Sequence, residues 1–138
     1  MTAKKHHSRA PGLLFLALFL LLAMPMPLRA GEALVSGQYL SSGGQDLQLR
    51  ITVAGPAPGT LIVIQNLPPG MAIEAASPAF HQYDANKGEV KWLLTKVSPG
   101  SYLLSLRLSR PVPAGAIRGE IRYKDPASGR LTHLPIRP

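Results

Sequence analysis

From Asp46 to Val53 the chain reads Asp-Leu-Gln-Leu-Arg-Ile-Thr-Val, apolar at every odd position and polar at every even one. A period of two is the signature of a β-strand with one face buried and one in water. Such a strand cannot satisfy its backbone groups alone, so it requires a sheet, and its apolar face requires a second layer. The same alternation returns in Tyr102, Leu104, Leu106 and Leu108, broken only by Leu103, and in Ile117, Ile121 and Tyr123, with Gly119 on the apolar face. Thr60 to Gln65 (TLIVIQ) is more continuously apolar, as expected of a central strand covered on both sides. Further strands are expected at Leu34 to Leu40, Met71 to Ala75, Val90 to Thr95 and Leu131 to Ile136.

Turn chemistry separates these runs. Ser41-Ser42-Gly43-Gly44, Gly55-Pro56-Ala57-Pro58-Gly59, Pro68-Pro69-Gly70, Asn86-Lys87-Gly88, Ser98-Pro99-Gly100 and Asp125-Pro126-Ala127-Ser128-Gly129 all supply residues that fix or permit turn dihedrals. After residue 30 no segment sustains a 3.6-residue pattern. Short strands at this spacing predict an all-β module, a β-sandwich or a small barrel, in a single copy.

The first thirty residues follow other rules. Lys4, Lys5 and Arg9 precede an unbroken apolar run of thirteen, Gly12 to Met24, which Pro25 and Pro27 then interrupt before Leu28-Arg29-Ala30. A basic start, a short apolar stretch and a small-residue cleavage position describe a helical secretory signal peptide over 1–30. A bilayer span needs about 20 apolar residues, so cleavage is expected rather than retention as an anchor, after Ala30 or alternatively after Ala33. The domain is then 31–138, and its destination is the periplasm, the cell surface or the medium.

Charge and cysteine content narrow the function. Residues 31–138 hold 11 Lys and Arg against 7 Asp and Glu, a net of +4, scattered without a basic block interleaved with aromatics, so no nucleic-acid partner is expected. The chain has no cysteine. In an exported protein, which is free to form disulfides, that leaves stability to the hydrophobic core alone and removes thiolate metal sites and cysteine nucleophiles.

Trp92, the only tryptophan, shares a strand face with Val90 and Leu94. It is expected in the core, where a large aromatic surface contributes most. The order Gln65-Asn66-Leu67-Pro68-Pro69-Gly70, then Gly88-Glu89-Val90-Lys91-Trp92, then Pro99-Gly100 and a final alternating strand resembles the immunoglobulin-like domains of bacterial and archaeal surface proteins. The likeness covers about residues 50–123. It implies a Greek-key β-sandwich of about seven strands, outside the cytoplasm, used for spacing or adhesion, and it implies no catalytic residues.

Material for chemistry is sparse. Phe80-His81-Gln82-Tyr83-Asp84 is the one local cluster of His, Tyr and Asp, and it reads as a solvated loop between Pro78 and Gly88. His81, Tyr83 and Asp84 are therefore the candidates for binding a small polar ligand. No metal site is expected, since His81 and His133 lie 52 residues apart without closely spaced companions. No nucleophile elbow, phosphate-binding glycine motif or calcium loop occurs. The expectation is a non-enzymatic module of the cell envelope, without a cofactor, that binds another envelope or surface protein, with edge-strand pairing as one route. A small carbohydrate-binding module using Tyr39, Tyr83 and Trp92 is the alternative. Less favoured is a small hydrolase or metalloenzyme built on His81, Asp84 and His133.

Overall fold

The alternating run of Asp46 to Val53 lies in the middle of a sheet, because pairing on both sides satisfies its backbone while its odd positions reach the core. The computed structural model describes residues 33–138, together with Thr2, and a compact unit spans Ala33–Pro138. The expected helical signal peptide lies outside the described residues. Nine strands form: β1 (Val35–Ser41), β2 (Gly44–Val53), β3 (Thr60–Asn66), β4 (Ile73–Ser77), β5 (Gln82–Asp84), β6 (Glu89–Thr95), β7 (Gly100–Val112), β8 (Arg118–Lys124) and β9 (Leu131–Ile136). The only helical element among the described residues is a 3-10 turn at Ala114–Ala116. None of their helices is long and apolar enough to cross a membrane.

The protein is an all-β sandwich of two antiparallel sheets. One has the order β1-β2-β7-β4 and the other β5-β6-β3-β8-β9. Three connections, β1–β2, β5–β6 and β8–β9, are hairpins within a sheet, and the other five cross between sheets. This interleaving buries the alternating faces against each other. Leu47, Leu49, Ile51, Leu104, Leu106 and Leu108 of the first sheet meet Leu61, Val63, Val90, Trp92, Ile121 and Tyr123 of the second in one core. Leu103, which breaks the alternation of β7, points outward and stays exposed.

The described residues hold nine strands, against an expectation of about seven. The difference arises partly at Gln82–Asp84, expected as a solvated loop, which pairs as an edge strand with β6 in the register Tyr83↔Val90. Three residues carry too little pattern to read locally, and here the pairing partner decides the conformation.

One side of the sandwich closes through glycine. A methyl group on Gly37 of β1 would lie 2.7 Å from Ile136 Cδ1 and 3.0 Å from Ile121 Cδ1, and one on Gly119 of β8 would lie 2.6 Å from Tyr39 Oη. The bare backbone at these two positions lets β1 settle against β8 and β9. Tyr39 Oη–H donates to Gln65 Oε1 at 2.6 Å, while Gln65 Nε2–H groups donate to the carbonyls of Asn66 (3.2 Å) and Arg118 (3.1 Å). Gln65 is the one buried polar residue among the described residues, 2 % exposed, and all of its side-chain groups are engaged. Burial raises the Tyr39 hydroxyl to about 12, against the opposing pull of its Gln65 hydrogen bond.

Candidate functional site

The opposite side of the sandwich, where β4 and β5 form the two edges, holds most of the candidate residues. Ser77 leads through Pro78–His81 from one sheet into the other. Trp92 anchors this crossing. Its ring is 2 % exposed, and its Nε1–H donates to the Pro78 carbonyl at 3.0 Å. Tyr83 turns into the same corner, its hydroxyl donating to the Met71 carbonyl just ahead of β4. Its pKa is raised first by burial and then by neighbouring Asp84. Phe80 packs edge-on against Tyr83 with ring centroids 6.2 Å apart.

His81, Tyr83 and Asp84 are adjacent, but their side chains have separate tasks. His81 is exposed, and its backbone N–H extends the β5–β6 ladder by donating to the Lys91 carbonyl at 2.7 Å. Asp84 Oδ1 accepts from the backbone N–H groups of Asn86 (3.0 Å) and Lys87 (3.2 Å), which shapes the turn into β6. The Tyr83 and Asp84 side chains hold structural hydrogen bonds and stay partly exposed, while the His81 side chain is exposed.

The stacking candidates are also committed. Tyr39 and Trp92 lie in or against the core, Tyr83 is partly buried, and the polar atom of each is hydrogen-bonded within the protein. Of the three, Trp92 is buried, while Tyr39 and Tyr83 keep part of their surface exposed.

His133 lies on β9, at the far edge of the five-stranded sheet from β5. Four strand spacings of about 4.8 Å separate the two edges, about 19 Å in all, so His81, Asp84 and His133 do not form one site. On the outer face His133 Nδ1 lies 2.9 Å from Glu120 Oε1, and Arg122 Nε–H also donates to that oxygen. The Arg122 hydrogen bond, with help from His133 and against partial desolvation, holds the Glu120 carboxyl below the usual range. This triplet was not legible in sequence. Glu120 and Arg122 alternate on β8, but His133 joins them only through the Arg122↔His133 register. No cluster of three or more His, Cys, Asp or Glu side chains among the described residues could hold a metal ion.

The β4 edge itself carries small side chains. Ile73, Glu74, Ala75, Ala76, Ala79 and Phe80 line an open groove of about 420 Å³. The strand holds neither proline nor lysine and has one bulge between Ile73 and Ala75. The other edges are less accessible to a new strand: β5 has three residues, β9 contains Pro135, and β1 leans on β9. Sequence reasoning located a strand here but could not tell that it would be an edge, since edge status depends on which strands pair elsewhere.

No known family model matches the chain, and no curated protein matches its sequence.

Proposed function

We propose that the protein is an exported, non-enzymatic binding module that engages another envelope or surface protein by accepting a strand along β4. The observation that carries this reading is the open β4 edge, with small residues on the strand and an apolar groove ending at Phe80. An edge strand presents unpaired N–H and C=O groups, and a partner strand completes them while its alternate side chains enter the groove. Recognition of this kind uses backbone hydrogen bonds and shallow pockets rather than a cluster of reactive side chains. The basic, apolar, proline-ended leader supports export, and the resemblance to immunoglobulin-like surface domains agrees with an adhesive or structural role at the envelope.

A photo-reactive residue at Ala75 on β4 is expected to cross-link one discrete envelope protein in living cells, whereas the same residue at Thr52, on a strand paired on both sides, does not. The Ala75 cross-link should survive simultaneous replacement of His81, Asp84 and His133 by alanine in a folded variant. Equal labelling from Ala75 and Thr52, or none from either, removes strand addition. Loss of the cross-link in the folded triple variant assigns function to those side chains instead.

A further inference from the structure

At the β8–β9 side, remote from β4, two arginines flank the end of a strand pair. Gly119 and Ile136 form the last pair of the antiparallel β8–β9 ladder, Arg118 precedes Gly119 and Arg137 follows Ile136. On the other side of β8, Arg118 pairs with Asn66 of β3. Gly119 and Ile136 are buried, which puts the exposed Arg118 and Arg137 on the outer face beside Asn66. All three line a cleft of about 720 Å³, together with Gly115, Glu120 and Pro135.

Both arginines line one cleft, and none of the ion pairs among the described residues involves Arg118 or Arg137. Glu120, the carboxylate in the cleft, is already occupied by Arg122 and His133. The backbone beneath is fixed, because the buried Gln65 amide donates to the Arg118 carbonyl. Two cations without an ion-pair partner, on a backbone held from below, are placed to receive an anion.

We infer that this cleft binds a phosphomonoester group. Two guanidinium forks and the Asn66 amide offer more donors than the two oxygens of a carboxylate can use, and they match a tetrahedral group with three free oxygens. A phosphomonoester also carries a charge of about −1.5 to −2 at neutral pH, close to what two arginines neutralise. This site does not rest on strand addition at β4 and shares no residue with that groove.

Inorganic phosphate is the probe, titrated into the isotopically labelled full chain at constant ionic strength while backbone amide shifts are followed. Saturable shifts are expected at Asn66, Gly119 and Glu120. Arg118→Ala and Arg137→Ala should each weaken binding about tenfold, the loss expected for a charge-assisted hydrogen bond. Arg118→Lys should retain only part of the affinity, and Arg110→Ala, on β7, should leave it unchanged. Without phosphate, neither alanine variant should melt below the parent, because neither arginine makes an ion pair in the fold. Shifts that do not saturate, that persist in Arg118→Ala, or that acetate reproduces at the same concentration overturn the assignment. So does an alanine variant that melts well below the parent, since the pair would then be structural.

Discussion

Trp92 joins apolar packing to one directional contact. Its ring fills the core beside Val90 and against the opposite sheet, and its indole N–H holds the Pro78 carbonyl at the crossing from β4 to β5. Truncation removes both at once. Trp92→Ala is expected to cost about 3–5 kcal/mol, the usual loss for a large core aromatic. Domains of this size have about 5–15 kcal/mol in total, so urea titration should find the variant close to unfolded at ambient temperature. Iodide should scarcely quench the parent's fluorescence; efficient quenching, or near-parental stability of the variant, would contradict the buried role. Burial of Trp92 was legible from Val90 and Leu94 sharing its face. The hydrogen bond was not, because Pro78 is fourteen residues away and reaches the indole only after the chain has changed sheets.

The turn after β3 and the entry to β6 are two separate stretches of sequence that build one element. Leu67 N–H donates to the Gly88 carbonyl at 2.7 Å and Gly70 N–H to the Ala85 carbonyl at 2.9 Å. This pins Asn66-Leu67-Pro68-Pro69-Gly70 onto the β5–β6 hairpin and buries Leu67 and Met71. Gly88 has φ +67° and would place a methyl group 2.0 Å from the Leu67 carbonyl oxygen, whereas Gly70, at φ +76°, faces open space. Gly70→Ala therefore meets backbone strain alone, about 1 kcal/mol, while Gly88→Ala meets strain and collision, about 3 kcal/mol or more. Thermal melts should rank the variants in that order, and equal losses would mean that the turn is not held against Gly88. Sequence marked both segments as turns, since glycine and proline act locally. Their contact was not legible because it depends on β6 pairing with β3, and the same non-local pairing concealed β5 as a strand.

At the scale of the whole molecule, the Tyr39–Gln65 pair links β1 of one sheet to β3 of the other, and its partners lie 26 residues apart. The sequence set Gln65 at the end of an apolar strand and Tyr39 in another, but not their meeting over Gly119, which needs both sheets in place. The Tyr39 hydroxyl titrates at about 12, above its ordinary value of 10.0. Its neutral form is the one that folding favours, so this contribution is complete below pH 10.0 and is lost as pH rises through about 12. Stability measured by denaturant titration should fall across that window. Tyr39→Phe should be weaker at neutral pH, where Gln65 loses its donor, yet show a shallower alkaline decline; an unchanged decline would exclude Tyr39 as its source. The glycine-lined side where β1 meets β8 and β9 also has a mechanical meaning. Gly37 lies by Ile121, and Tyr39 lies by Gly119, so β1 runs against β8 and alongside β9. Tension applied through Ala33 and Pro138 thus pulls the first and last strands lengthwise in opposite directions. The β1–β2 and β8–β9 hydrogen bonds must then slide together in shear instead of unzipping one by one, a geometry suited to a domain that holds under load.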